Sequence, residues 1–177
     1  IVIAGGGVFG CLVSYVLSRN GCTVTLIDKD LPGKATSASA GGLWAVGESI
    51  GLGCGVIFHA KNGDVDTDAG PQPLPREFME FLIESNRYFP SLTQELEKHS
   101  GIHIETEDST GLLYVIYNNE EQQYADSLLT WLQGTGVDVQ EWSAKQVKAR
   151  EPLMTENQQG GVYFPGDNQV NPMLLAD

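Results

Sequence analysis

The 177-residue sequence is poor in positive charge, with 10 Lys and Arg against 23 Asp and Glu, a formal net charge of −13 and a pI near 4.4. A nucleic-acid groove needs clustered cations to neutralise phosphates, so that class is excluded. Long apolar runs are also missing, and none approaches the ~18–20 residues of a membrane span. Cysteine is scarce. Cys11, Cys22 and Cys54 are odd in number and lack C-x-x-C spacing, which excludes a disulfide framework. With His59, His99 and His103 dispersed, no zinc site is expected. Free buried thiols in a reducing compartment are the expectation. No basic-then-apolar leader precedes the first strand pattern, so no signal peptide is expected. Ile1 stands inside that pattern, and a trimmed amino end is expected. Hydrophobic residues reach 41%, enough to bury a core in one domain, or a compact domain and a smaller lobe, and too many for a disordered acidic tail.

Glycine is in excess, 21 of 177 residues against a typical ~7%, with the surplus before residue 56. Ile1–Ala4 predicts a short strand running into a glycine cluster. Cys11–Arg19 carries Leu12, Val13, Val16 and Leu17 at helical spacing, and Gly21 sits at the stop. Thr23–Ile27 is β-branched and apolar, the pattern of a buried parallel strand. Connections this short make a right-handed βαβ unit. Residues 34–55 are small and sparsely charged, and residues 62–75 read as a surface loop.

A helix is predicted over Arg76–His99, with Phe78, Phe81, Leu82, Leu92 and Leu96 inward and a kink or division at Pro90. Ile102–Thr106 and Gly111–Tyr117 predict two antiparallel strands. Asn119 with Gln122 predicts a capping box for a helix through Leu132, stopped by Gly134 and Gly136. Val137–Trp142 and Gly161–Pro165 predict further strands. Ser143 with Gln146 caps a short helix between them, and Asn171-Pro172 opens a last one.

Gly5-Gly6-Gly7-Val8-Phe9-Gly10 fits G-x-G-x-x-G. The pattern is weak by itself, but here it follows a strand, opens a helix, and is answered by Asp28 at the end of the next strand. Gly5 allows the tight turn, Gly7 admits a pyrophosphate to the backbone, and Gly10 lets the helix pack closely. The helix N-terminus offers N–H groups and partial positive charge to phosphates. The Asp28 carboxylate suits a ribose hydroxyl and repels a 2′-phosphate, which disfavours NADP. A ligand-free glycine turn is the simpler alternative, and the combined pattern favours a dinucleotide. A second small-residue segment, Thr36-Ser37-Ala38-Ser39-Ala40-Gly41-Gly42, lets backbone N–H groups approach a ligand. An extended flavin needs such a segment more than a nicotinamide does; a tightly packed glycine loop is the alternative.

The run from Gly33 to Trp44 resembles the FAD loop of the D-amino acid oxidase and glycine oxidase family. Its continuation, Ala45 to Phe58, is similar to a subgroup of that family, the flavoprotein subunits of hydrogen cyanide synthase and of opine (octopine or nopaline) oxidases. Tyr163-Phe164-Pro165, Gln169-Val170-Asn171-Pro172 with Leu175, and Glu151-Pro152 resemble the family's return from substrate lobe to flavin lobe. The resemblance implies an α/β fold, a Rossmann-like FAD-binding βαβ lobe with an α+β substrate lobe of antiparallel strands. The implied boundaries are residues 1–60 for the FAD lobe, 61–165 for the substrate or cap lobe, and 166–177 for the return.

By matching positions, Gly5, Gly7, Val8, Phe9 and Gly10 are implied at the pyrophosphate, and Asp28 and Lys29 at the adenosine ribose. Ala35, Thr36, Ser39, Ala40, Gly41 and Gly42 are implied along the ribityl chain towards the isoalloxazine. The implied activity is FAD-dependent oxidation of a CH–NH2 group, by hydride transfer to flavin N5. Glycine oxidised to hydrogen cyanide and carbon dioxide is the first choice of substrate chemistry, and opine or D-amino acid oxidation the alternative. The resemblance also implies a hetero-oligomer with other oxidoreductase subunits, in the cytoplasm or peripheral on the cytoplasmic membrane face. The family's later sheet strands and substrate arginine would fall beyond Asp177, so about the first half of a longer enzyme is expected.

No catalytic side chain and no metal ligand is assigned. Trp44 and Glu48 are candidates for an active-site wall, with packing or a surface carboxylate the alternative. Cys54 is expected to be a buried thiol, one of Tyr114 and Tyr117 to be core, and Trp131 and Trp142 to be core. A non-catalytic assembly fragment and an NAD-dependent dehydrogenase are the readings from other classes.

Overall fold

The computed structural model describes residues 1–29, 35–47, 75–107 and 110–176. Glu48, Cys54, His59 and the 62–75 loop, apart from Pro75, lie outside the described residues, as do Gly33 and Lys34. The chain forms two compact units, Ile1–Gly42 with Thr93–Thr106 and Val170–Asp177, and Leu43–Leu92 with Glu107–Gln169. Three of the crossings between units fall at short strands, β3 (Gly42–Leu43), β4 (Thr106–Glu107) and β8 (Asn168–Val170). The fourth falls within α2 (Arg76–Ser100).

In the first unit, β1 (Val2–Ala4) pairs in parallel with β2 (Thr25–Ile27), in register Val2↔Thr25, Ile3↔Leu26 and Ala4↔Ile27. Helix α1 (Val8–Arg19) joins them, as the apolar spacing predicts. It ends in a Schellman motif: Cys22 N–H donates to the Leu17 carbonyl at 3.0 Å and Gly21 N–H to Ser18 at 3.0 Å. Gly21 has φ +81, which a Cβ would penalise. The expectation that the second strand is buried needs correction. In this chain Leu26 and Ile27 are exposed, and no third strand pairs with β1 or β2 among the described residues. Cys11 and Cys22 are likewise half-buried free thiols rather than buried ones.

The second unit is built on β7 (Gly160–Phe164), flanked by β5 (Leu112–Ile116) and β6 (Gln140–Ser143), both antiparallel. Alternation along β7 sends Val162 and Phe164 to one face, where they meet Ala125, Leu128 and Leu132 of α3 (Asn119–Leu132). Those three helix positions, spaced three and four apart, form its buried stripe. Tyr114 packs edge-on against Phe164, ring centroids 6.0 Å apart, whereas Tyr117 is exposed. Trp131 packs half-buried on this core. On the opposite face Trp142 stacks on Tyr163 at 4.2 Å, so it is a half-buried stacking partner rather than part of the central core. Gly161 is required here: a Cβ would lie 2.7 Å from the Tyr114 carbonyl oxygen. Helix α4 (Ala144–Arg150) inserts Val147 and carries the expected Ser143–Gln146 capping box.

Three other expectations shift. The cap of α3 is Asn118, whose side chain accepts from Glu121 N–H at 2.9 Å, one residue before the predicted Asn119. Ile102–Thr106 is mostly not strand, and among the described residues β4 and β5 do not pair; β5 pairs instead with β7, in register Leu112↔Phe164. Helix α2 runs unbroken through Pro90, and its inward residues include Met79 and Thr93, while Phe78 and Phe81 are exposed and face each other at 6.3 Å. The true inner face is rotated by about one residue, which a pattern rich in apolar positions does not reveal. The last helix, α5 (Pro172–Ala176), opens as predicted, with Asn171 Oδ1 accepting from Met173 N–H at 3.1 Å.

Candidate functional site

The glycine cluster is the turn between β1 and α1. Gly5 holds φ +108, a conformation that L side chains rarely adopt, and its N–H donates to the Ile27 carbonyl at 2.7 Å. This bond fixes the turn to the end of β2. Gly10 packs against the turn itself: a Cβ there would run into the Gly5 carbonyl oxygen. Gly7 is the N-cap of α1 and offers no side-chain cap, and the first turn contains no acidic residue. The positive end of the helix dipole is therefore not offset by its own first turn. Among the described residues, no acceptor takes the N–H groups of Phe9 and Gly10, the usual condition of a helix start.

Two long-range contacts close the turn. Gly6 N–H donates to Asp28 Oδ2 at 2.5 Å, and Val8 N–H donates to Thr36 Oγ1 at 3.0 Å. The sequence brings Asp28 here because β2 is parallel to β1, so the residue after β2 lies beside the residues after β1. Thr36 also sets the room around Gly7, whose Cβ would lie 3.1 Å from Oγ1. Phe9 is exposed at the second helical position.

The small-residue segment continues from Thr36. Residues 35–38 form a turn, with Ser39 N–H donating to the Thr36 carbonyl at 3.1 Å. Ser39 Oγ accepts from Gly41 N–H at 3.0 Å. Gly41 has φ +74 and would push a Cβ into the Val170 carbonyl oxygen, and its own carbonyl accepts from Val170 N–H at 2.9 Å. Ala35 and Ala40 are exposed, Gly42 starts β3, and Lys29 stands exposed beside Asp28. All the sequence-predicted site residues thus fall in one unit, on the turn, its carboxylate and the segment that leads away from Thr36. Trp44 lies in the second unit, half-buried.

Sequence reasoning passed over Asp167. This carboxylate is fully buried and accepts from Val46 N–H at 3.1 Å and Gly47 N–H at 2.9 Å, tying two segments of the second unit together. The only signal was an acidic residue in an otherwise turn-like Pro165-Gly166-Asp167 run. Among the described residues, no group of three or more His, Cys, Asp or Glu is placed to hold a metal. No described helix is long and apolar enough to cross a membrane.

The donors and acceptors suit an ADP group. N–H groups and helix dipole can answer a diphosphate, a carboxylate can answer ribose hydroxyls, and Gly5, Gly6 and Gly7 bring no side chain of their own to the turn. A parallel βαβ unit of this kind, continued by a small-residue segment, defines a dinucleotide-binding protein of the flavoprotein class. The family model described as FAD dependent oxidoreductase matches residues 1–177, and the chain belongs to that family, whose cofactor is FAD. Along 100% of its length it is 40% identical to hydrogen cyanide synthase subunit HcnC of Pseudomonas aeruginosa, covering 45% of that protein. It is 27% identical to the glycine oxidase of Bacillus licheniformis, covering 99% of this chain and 40% of the relative. The crystal structure of glycine oxidase from Geobacillus kaustophilus superimposes with a TM-score of 0.77 at 27% identity, over 99% of this chain and 41% of that one. The chain therefore spans less than half the length of the relatives it matches.

Proposed function

We propose that this chain builds the FAD-holding part of an oxidoreductase acting on the CH–NH2 group of a small amino acid, and that the reaction is oxidation of glycine to hydrogen cyanide and carbon dioxide. The carrying observation is the 40% identity to HcnC along the whole chain, glycine turn and small-residue segment included. The N–H groups of Phe9 and Gly10 hold the diphosphate, and the Asp28 carboxylate, oriented by Gly6 N–H, accepts from the adenosine ribose. Val8 and Lys29 flank these two contacts. Thr36 fixes the distance between the turn and the segment Ala35–Gly42, which lies along the flavin half. Bound FAD supplies a two-electron acceptor for hydride leaving the substrate Cα.

Glycine yields hydrogen cyanide and carbon dioxide only by losing four electrons and four protons, so two oxidations and a re-oxidising partner are required. A subunit of a larger oxidoreductase meets that need, and HcnC is itself named a subunit. A cytoplasmic position, peripheral to a membrane that carries the electrons onward, follows from the same reading. The identity to glycine oxidases favours a second reading, a single two-electron oxidation whose imine is released and hydrolysed.

The test is the full-length protein, co-expressed with its partner subunits and mixed anaerobically with glycine. A yellow protein bleached by glycine, with cyanide formed on re-oxidation, is expected. Bleaching with glyoxylate and ammonia as products supports the second reading. A colourless protein, or a flavin that glycine does not bleach, overturns the assignment.

A further inference from the structure

Helix α1 is gripped a full two turns from its N-terminus by a four-residue polar cluster that the cofactor contacts do not use. Tyr15 Oη lies 2.5 Å from Glu95 Oε1 and 2.7 Å from His99 Nδ1. Arg19, one turn beyond Tyr15, pairs with the same Glu95 oxygen, and its guanidinium stands 5.8 Å from the Tyr15 ring centre. Glu95 and His99 are themselves one turn apart on the last part of α2, so two neighbouring turns of one helix hold two neighbouring turns of the other. All four residues belong to the first unit.

The proton order follows from the chemistry of the groups. A carboxylate oxygen only accepts, so the single Tyr15 proton goes to Glu95. Tyr15 Oη then has only lone pairs left for His99, and Nδ1 must be the donor. His99 is thereby held with its proton on Nδ1. The directional bonds of this cluster constrain the rotation of α1 and its advance along the axis. Those two coordinates aim the N–H groups of its first turn.

We infer that Tyr15, Glu95, His99 and Arg19 form a positioning clamp for the diphosphate end of α1, with Glu95 as its common acceptor. The inference rests on the proposed FAD site and names residues that act through the helix rather than on the cofactor. Tyr15→Phe removes only the hydroxyl, and Glu95→Gln keeps the shape while removing the charge that Arg19 meets. In the full-length apoprotein, titrated with FAD by flavin fluorescence, each variant raises the dissociation constant about tenfold, the weight of one charge-assisted hydrogen bond. The double variant is little worse than either, because both break one chain of contacts.

Two readouts separate clamping from general stability. In Tyr15→Phe the melting temperature of the apoprotein falls by less than would account for the weaker binding, and the nitrogen NMR spectrum of wild type shows neutral His99 as the Nδ1–H form, lost in that variant. An unchanged FAD dissociation constant overturns the clamp while leaving the FAD site intact. A lowered apoprotein melting temperature that accounts for the weaker binding also overturns it, as does His99 carrying its neutral proton on Nε2. Wild-type protein that takes up no FAD defeats the proposed function itself.

Discussion

In the second unit the central strand hides Val162 and Phe164 almost completely, whereas in the first the paired strands leave Val2, Leu26 and Ile27 at 68%, 40% and 55% exposure. The residue types are alike, and their physical use is opposite. β7 has a partner on each edge and two helices beside it, so its apolar side chains supply burial energy. Among the described residues β1 and β2 pair only with each other and pack against α1, and their geometry rests on the parallel ladder and on bonds at its end: Gly5 to Ile27, Gly6 to Asp28, Val8 to Thr36. One unit is specified by packing, and the other by backbone conformation and hydrogen bonds at the glycine turn. The difference teaches that an apolar strand pattern fixes the strand, while its burial depends on what the rest of the protein lays over it, and this chain spans less than half the length of its relatives.

Substitutions should therefore act by different currencies in the two units. The largest effect is expected for Gly7→Val in the full-length protein. A branched side chain would press on Thr36 Oγ1 and fill the pyrophosphate approach, so flavin content falls to background while the second unit keeps its circular dichroism and near-ultraviolet signals. Normal flavin content would mean that the turn is not the phosphate site. Next is Phe164→Ala, which empties the centre of the second core and costs about 3–5 kcal/mol in denaturant unfolding. Here the flavin-to-protein ratio of the folded fraction should hold; a loss of flavin without a loss of stability would erase the distinction between the units.

Smaller effects sharpen it. Thr36→Ala deprives Val8 N–H of its acceptor, a change of about 1 kcal/mol, and should raise the FAD dissociation constant roughly fivefold, with Thr36→Ser restoring it. No difference between Ala and Ser would show that the methyl rather than the hydroxyl matters. Smallest is an alkaline effect in the second unit. Burial of Tyr124 raises its phenol above the usual 10.0. Its folded value then exceeds its unfolded one, so its share of stability is complete below about pH 10 and is lost as pH rises through the folded value. Tyr124→Phe should flatten the drop in urea midpoint between about pH 9 and about pH 11. An equal drop in both proteins would assign the alkaline loss to other groups.

Much of the candidate site's geometry was legible because its parts are local or follow a fixed spacing. Gly5, Gly7 and Gly10 are read from backbone chemistry, and Asp28 from the length of one βαβ turn. Thr36 was legible as part of a small-residue segment, but its bond to Val8 was not, since 28 residues separate them. Asp167 and the Tyr15 cluster were missed for the same reason, their partners lying 80 or more positions away. In the fold, the Ser143–Gln146 cap was read correctly because both halves are three residues apart, while the pairing of β5 with β7 was not, because a neighbouring strand pattern looked equally suitable.

The amino-acid order by itself determined the parallel βαβ unit, its glycine turn and the class of ligand that such a turn accepts, since each depends on φ angles, helix period and short loops. Only the tertiary structure decided which apolar faces are buried, which carboxylate is locked inside the second unit, and which side chains join α1 to α2. Those outcomes depend on contacts between segments far apart in the chain, where many pairings have the same local pattern and packing chooses among them.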